Sequence, residues 1–500
     1  MVAGCTTYIV NVQSTRECQV LVVGGGLVGL TTALVLRHHG VDVTLVEKRA
    51  TTSPQPKARR FHVRSMEIFR ELGLAETVRE AARDLAEHDR MAVGRTLVEA
   101  RQLPLRHPTG SAGEPIEISP ELPCLVAQDV LEPVLRQAAQ DAGACVRFRT
   151  ELTSFAQDAD GVRAELHDHR TGRSSQLRAS FAVAADGARS PVRSALGIDR
   201  SGRGAVGGPN VNVYFHADLS DVVRGREFNL CQLEHPAAPG ALASVDGRFR
   251  WVFMASGGEV ERDWPALLRT VLGVPAPDLE VRSVLPWRPE MLVADRYSDG
   301  RVHLAGDAAH VMPPFAALGA NTGIADAHNL GWKLAAVLSG EAAPALLDSY
   351  DAERRPAGWF AADQSSRRQL DVTAEPDPTL ADPFVLAAGG YQYPAGAFAD
   401  GPVEVEPVTE FAPAGRIATR IPHRWLDPGL STLDIAGPGW ALAVSDDPRR
   451  WAANDLPVHR LDADFLAPGE ALLIRPDDVI AWRGTDPTAP AEVREKLLAG

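Results

Sequence analysis

The residues with the most chemical content stand near the start of the chain. Gly24, Gly26 and Gly29 are spaced G-x-G-x-x-G directly after the apolar run Cys18 to Val23, and a second apolar run ends on Glu47. This order predicts strand, glycine turn, helix, strand and terminal acid. Gly24 permits the tight turn, Gly26 lets the backbone approach a pyrophosphate, and Gly29 lets the helix pack on the sheet. The helix start then presents free N–H groups and a positive dipole to the phosphates. An acid at the position of Glu47 accepts hydrogen bonds from ribose hydroxyls. Together these features predict a dinucleotide site.

Further candidates lie far along the chain. Asp186 and Gly187 sit in ADGARSPVR, Gly306 and Asp307 in GDAAH, and Pro313 and Pro314 open the run PPFAALGANT, which contains Gly319, Asn321 and Thr322. Lys57 and Arg59 lie in a polar, proline-punctuated loop from Thr51 to Arg60, and Gln128 stands just before an amphipathic pattern in which Leu131, Val134, Leu135 and Ala138 recur at helical spacing. The elements that must position these groups follow from periodicity. A helix is predicted near Ser65 to Leu74, hairpins around Asp158 to Gly161 and Thr171-Gly172, a buried strand in RVHLAGDAAH, and a long helix through NTGIADAHNLGWKLAAVL. Between them, Val211, Val213, Phe215 and Ala217 alternate with polar residues, and Phe249, Trp251 and Phe253 alternate with Arg250 and Val252, so a half-covered antiparallel sheet is inserted. A stretch rich in Pro, Ala and Gly precedes the strand-like WALAVSD and ALLIRPDDVIAW, which predict a small α/β domain of their own.

Composition narrows the partners. A chain of 500 residues exceeds one ordinary core, and a net charge of −14, from 65 acids against 51 bases, leaves no basic cluster for a phosphate backbone. Nucleic acid is not expected as a partner. Neither a membrane span nor a signal peptide is read from the chain, and five scattered cysteines without a CxxC argue against a disulfide scaffold or a zinc site. A reducing cytoplasm is the expected compartment, and no metal site is expected.

Three separated motifs, the GxGxxG unit, Asp186-Gly187 and Gly306-Asp307, together resemble the class A FAD-dependent aromatic hydroxylases typified by para-hydroxybenzoate hydroxylase. The resemblance implies a Rossmann-like FAD-binding domain with an inserted, mostly antiparallel substrate sheet. The FAD part would be 18–90, 121–200 and 292–370, the substrate part 91–120 and 201–291, with a linker at 371–410. Residues 411–500 resemble the thioredoxin-like appendage of the phenol hydroxylase and aklavinone hydroxylase branch, without a CxxC, so they would pack or dimerise rather than do redox chemistry; a monomer or homodimer is expected. The first motif would hold the ADP half of non-covalent FAD, Asp186 would lie near the pyrophosphate, and Asp307 on the ribityl chain. Lys57 would be the cation that borders the flavin phosphates and nicotinamide, Arg59 would also bind the cofactor, and Gln128 would contact FAD or serve as a helix cap. Pro313 and Pro314 would wall the pocket beside flavin C4a, and the amides from Gly319 to Thr322 would face the pyrimidine edge. Where the family has a glycine pair this chain has Ala316 and Ala317, which predicts strain if those positions need positive φ.

The implied activity is monooxygenation of a phenolic or polycyclic aromatic compound, through a flavin C4a-hydroperoxide with O2 and transient NAD(P)H, in aromatic polyketide biosynthesis. Baeyer-Villiger or epoxidising chemistry, or a silent flavin- and ligand-binding protein, are the alternatives. Flavin halogenases share the glycine unit, but their Trp-x-Trp-x-Ile-Pro segment is absent. His310 is expected to brace its loop, and His328 and Trp332 to pack. Trp251, Trp264 and Trp287 could line an aromatic pocket or fill a core, and Arg37 and Lys48 are expected to be solvated.

Overall fold

The computed structural model describes residues 16–105, 117–276, 278–368, 380–400 and 413–500. Its central sheet runs in the order Ser298–Asp299, Val302–Leu304, Arg173–Ala184, Arg16–Val23, Val43–Glu47, Cys145–Phe148. The pairs along it are parallel from Val302–Leu304 to Cys145–Phe148, with Val23 opposite both Ala184 and Val46. A parallel sheet covered on both faces needs apolar strands, and Val20, Leu21 and Val22 are fully buried. The two hairpins lie where the turn residues predict them. Thr150–Asp158, Gly161–Asp168 and Arg173–Ala184 form an antiparallel ribbon that merges into the parallel sheet through its last strand.

Helices Leu27–His38, Gln128–Asp141 and Leu318–Ser339 cover the sheet. The long helix approaches the first so closely that a Cβ on Gly331 would stand 2.4 Å from Val35 Cγ1, which explains a glycine in a helix interior. In Gln128–Asp141 the buried stripe is Leu131, Leu135 and Ala139, with Glu132 beside it, rather than the expected set ending on Ala138. Arg37, expected to be solvated, donates from Nε to Ala142 O and from Nη1 to Val41 O, so it ties two chain turns together.

The inserted sheet has seven strands in the order Glu280–Trp287, Asn210–His216, Arg250–Ser256, Gly240–Ser244, Leu230–Leu233, Met91–Gly94, Arg101–Gln102. All pairs are antiparallel except Met91–Gly94 against Leu230–Leu233. Val211, Val213, Phe215, Trp251 and Phe253 fill the core on one face, under helix Trp264–Leu272. Phe249 departs from the alternation and is exposed, because it belongs to the turn whose amides Asp246 accepts rather than to the strand that starts at Arg250.

The last region has its own four-stranded sheet, ordered Val458–Arg460, Ala441–Val444, Ala471–Ile474, Ile480–Gly484, parallel in the first pair and antiparallel in the others, with helix Ala489–Ala499. One face of this sheet packs within the region, through Ala441, Ala443, Leu472 and Ile474, and the other is shared. Trp440, Leu442, Leu473 and Trp482 pack in one cluster with Trp332 and Ala336 of helix Leu318–Ser339 and Ala357 of helix Asp348–Arg367. A buried charge network crosses the same boundary. Arg475 donates to both Glu353 oxygens (2.7 and 2.9 Å), Lys333 Nζ reaches Glu353 Oε2 at 2.8 Å, and Asn329 donates to Glu353 and Asp477. Burial alone would raise the Glu353 carboxyl, yet Arg475 and Lys333 hold it down at about 2, while burial pulls Lys333 down to about 8. Residues 380–400 join this core through Tyr393, Ala397 and Phe398.

Candidate functional site

A cleft of about 3160 Å³ runs between the central sheet and the inserted sheet. At one end lies the glycine turn. Gly24 has φ +112°, and a Cβ there would stand 2.2 Å from Ala185 O, so only glycine fits. At Gly26 a Cβ would meet no protein atom closer than 3.5 Å and would instead fill the cleft, which is the space a ligand's phosphates need. Glu47 accepts from Gly25 N and Arg49 N, each at 2.8 Å, and this anchors the carboxylate at the cleft edge. Beneath the turn sits Glu132, which accepts from Ser53 N and Gln128 Nε2, both at 2.7 Å; burial raises its carboxyl. Gln128 Oε1 accepts from Ala58 N at 3.2 Å, so this side chain holds the Lys57 loop against the helix start.

The two later acids line the same cleft. Asp186 Oδ2 accepts from Val192 N at 3.1 Å, while Oδ1 is buried with no partner, and burial raises the carboxyl. Asp307 opens onto the cleft while ringed by protein, which raises its carboxyl, with His310 and Lys57 drawing it back. Arg193, which sequence reasoning missed, joins the two motifs by donating to Ala308 O (2.8 Å) and Ala188 O (3.0 Å).

The loop beyond Asp307 carries the strain that its alanines imply. Ala316 and Ala317 adopt φ +58° and +54°, both left-handed. Side chains hold four carbonyls of the loop, and the fifth, Pro314 O, accepts from Ala317 N. Ser365 Oγ donates to Pro313 O and Phe315 O (2.6 and 2.9 Å), His62 Nε2 to Ala316 O (2.8 Å), and Asn321 Nδ2 to Ala317 O (2.6 Å). His62 is buried, and that burial lowers it to about 4. Behind the loop, His310 Nε2 bonds Asp326 Oδ2 at 2.7 Å, and Arg354 Nε bonds Asp326 Oδ1 at 2.8 Å; all three are fully buried. His310 therefore braces the loop, as expected. His328 bonds Glu71 at 2.6 Å, and Trp332 packs edge-on to Trp440, so both serve packing.

At the far end the inserted sheet supplies a mixed wall. Met91, Leu230, Val252 and Met254 give apolar surface, and Asn210 and Asn212 give carboxamides. Of the three tryptophans, Trp287 lines the cleft, with its Nε1 bonded to Asn212 Oδ1 at 2.7 Å. Trp251 and Trp264 are core residues whose indoles bond Ala217 O and Val260 O.

These residues fit FAD. An orphaned carboxylate oxygen on Asp186, the open cradle at Gly26, a helix start and an acid at the strand end share one cleft, whose volume exceeds the roughly 300–1,000 Å³ of a single-ligand pocket. It has room for a dinucleotide and a second molecule. Residues 17–365 match the FAD binding domain family. The chain belongs to the FAD-dependent aromatic hydroxylases. It is 39% identical to tetracenomycin B2 monooxygenase-dioxygenase from Streptomyces olivaceus, over 97% of this chain and 98% of that protein. Among solved structures, aklavinone-11 hydroxylase in complex with FAD and aklavinone superposes with a TM-score of 0.81 at 31% identity, covering 97% of this chain and 98% of that one. The flavin-dependent monooxygenase PieE, in complex with FAD and substrate, superposes at 0.82 with 29% identity, covering 96% and 99%.

In this hydroxylase Gly24, Gly26, Glu47, Lys57, Arg59 and Gln128 all line the cleft, as do Asp186, Gly187, Asp307, Pro313, Pro314 and Gly319. Four expected residues stand behind its wall. Gly29 packs the first helix against Gly24 O, and Gly306 donates its amide to Asp326. Asn321 is a clasp, accepting from His62 N and Ser65 Oγ while its Nδ2 donates to Arg60 O and Ala317 O, and Thr322 is buried with its carbonyl on Arg354. Of the run Gly319 to Thr322, only Gly319 and Ala320 line the cleft, because the following turn is committed to the protein interior. Arg59 also differs from expectation. Its Nη1 turns to Asn229 O, Asn229 Oδ1 and Ser244 O, so it bonds the inserted sheet rather than standing free for phosphates.

Proposed function

We propose that this FAD-dependent monooxygenase hydroxylates a polycyclic phenolic substrate in aromatic polyketide biosynthesis, with NAD(P)H as a transient electron donor. The observation that carries the reading is the inserted-sheet wall of the cleft, where apolar Met91, Val252, Met254 and Trp287 stand among Asn210 and Asn212, in the same cleft that the Pro313–Ala317 loop lines. A flat ring system bearing several oxygens suits such a wall, because the rings bury apolar area and the carboxamides answer the polar rim. The similarity to tetracenomycin and aklavinone hydroxylases supports the same substrate class.

When bound, non-covalent FAD reduced by NAD(P)H supplies the activation of O2 and delivers one oxygen atom to the ring. The protein binds, orients and keeps water out. Gly24, Gly26 and Glu47 would hold the ADP half, Asp186 and Gly187 would lie at the pyrophosphate, and Asp307 would accept from the ribityl chain. Lys57 would supply the cation at the phosphates. Pro313, Pro314 and the amides of Gly319 and Ala320 would form the wall against the ring system, where oriented donors favour developing negative charge. We read the described parts of 18–90, 121–200 and 292–370 as the FAD-binding domain and 91–120 and 201–291 as the substrate domain. On its strand order we read 411–500 as a thioredoxin-like element that packs rather than reacts.

The test is to incubate holoenzyme with NADPH or NADH, ¹⁸O2 and a panel of phenols, naphthols and anthraquinones. The expected result is stimulated NAD(P)H oxidation and one labelled oxygen in the product as a ring hydroxyl. Label in an inserted ester oxygen, or oxidation without label incorporation for every compound, would refute the proposal.

A further inference from the structure

Arg60 lines the cleft without an ion-pair partner among the described residues. Arg60 belongs to the two-residue strand Arg60–Phe61, paired with Cys124–Leu125, and its neighbour Phe61 is fully buried in the core. Strand alternation therefore turns Arg60 the other way, and it lines the cleft beside His62, Asp89 and Met91. Its backbone is fixed, since its carbonyl accepts from the Asn321 clasp at 3.1 Å. Its guanidinium has no hydrogen bond and no ion pair among the described residues. The nearest acid acting on it, Asp89, lies beyond ion-pair distance, and burial pulls the guanidinium down more than Asp89 restores it. The adjacent Arg59 shows the contrast, for it is satisfied by the carbonyls of Asn229 and Ser244.

A half-buried guanidinium that lines a cleft without a protein partner is placed to take an anion from a ligand, and such a charge-assisted hydrogen bond is stronger than a neutral one. The anion-binding parts of the FAD region are elsewhere, at the Gly24–Gly26 turn and the start of Leu27–His38. Arg60 instead stands between the strained Ala316 loop, through His62, and the first strand of the inserted sheet, Met91–Gly94. We propose that Arg60 pairs with an anionic oxygen of the substrate, a carboxylate or an ionised phenol, and thereby sets which end of the ring system faces the Pro313–Ala317 loop. The inference rests on the substrate reading above and adds the chemistry of one recognised group.

The test uses holoenzyme and two probes of equal shape, anthraquinone-2-carboxylate and anthraquinone-2-carboxamide, with binding followed by perturbation of the flavin visible spectrum and so independent of turnover. Wild type should bind the carboxylate about ten- to a hundredfold tighter, the range for a hydrogen bond to a charged group. Arg60→Gln should abolish that preference while leaving carboxamide affinity and FAD content unchanged, and Arg60→Lys should retain part of it. Equal binding of the two probes by wild type, or a preference that survives in Arg60→Gln, would overturn the inference. So would a loss in Arg60→Gln confined to FAD retention or to the KM for NAD(P)H, which would assign the guanidinium to a cofactor phosphate. If neither probe perturbs the flavin, the inference falls with the substrate reading; a preference without any oxygenation would leave Arg60 assigned and fail only the activity.

Discussion

Replacing Ala316 and Ala317 together with glycine should make the protein more stable and its oxidation less coupled. At φ 58°, ψ 11° and φ 54°, ψ 36° the two alanines occupy the left-handed region. A Cβ costs roughly 1–2 kcal/mol there, whereas glycine costs about 0.4–1 kcal/mol through the freedom it adds to the unfolded chain. The difference is about 0.5–1 kcal/mol per site, or about 1–2 kcal/mol for the pair. Midpoint shifts of about 2–4 °C per kcal/mol hold for 150–250 residues, so a chain of this length should gain about 1–3 °C. The loop will not collapse, because Ser365, His62 and Asn321 hold its carbonyls from outside. It will be softer, and the wall opposite the substrate will admit water more often. The assays are a melt of the holoenzyme followed by flavin fluorescence, and H2O2 released per NAD(P)H oxidised in the presence of a substrate. A higher midpoint with a raised peroxide ratio is expected. As a contrast, Ala317→Val should lower the midpoint, since a β-branched residue fits the left-handed region worst. A lower midpoint in the double glycine variant, or a peroxide ratio that does not change, would refute the link between strain and coupling.

Asp307→Ala should weaken FAD retention by about ten- to a hundredfold, the effect of losing a hydrogen bond of roughly 1.5–3 kcal/mol, measured as flavin content after extended dialysis; full occupancy would remove Asp307 from the ribityl chain. His62 makes part of the stability depend on acid. Burial holds it at about 4 instead of 6.5, so the folded state binds fewer protons than the unfolded one between those values, and its contribution, complete above pH 6.5, is lost as pH falls to 4. Wild type should lose about 3 kcal/mol more than His62→Gln over that interval in paired denaturant titrations, and parallel curves would count against the buried neutral imidazole.

What could be read from the sequence divides by distance along the chain. The glycine turn and Glu47 belong to one short strand-helix-strand unit, so local spacing was enough. The alternation of Val211, Val213 and Phe215 was enough for the inserted sheet. The left-handed backbone at Ala316 and Ala317 follows from the family's glycine pair, a signal carried by what is missing. Trp251 could have been placed in the core by the same alternation that set Phe253 there. Glu132 was harder, because an acid next to an apolar stripe looks like surface; its spacing of four from Gln128 was the available hint. Arg60 read as one more charge in a polar loop, and only the pairing with Leu125 shows which way it points. The Lys333, Glu353, Arg475 and Asp477 network has little local signature, since Lys333, Glu353 and the Arg475–Asp477 pair lie in three separate segments and each looks like a solvated charge until the fold closes over them.

That network also gives the molecule a timetable. Glu353 and its final partner Arg475 are 122 residues apart in the chain. A ribosome adding roughly 5–20 residues per second needs on the order of ten seconds to bridge that gap. Through this interval the growing polypeptide holds Lys333 and Glu353 without their guanidinium, and Trp332 without the indole of Trp440 that covers it. The helices that carry Trp332 and Glu353 thus emerge with a sticky, half-finished flank, and the strands of the C-terminal sheet complete it later. The C-terminal sheet acts as a closing piece built into the gene order, and a message cut short before Arg475 releases a product in which this buried ion cluster has never formed.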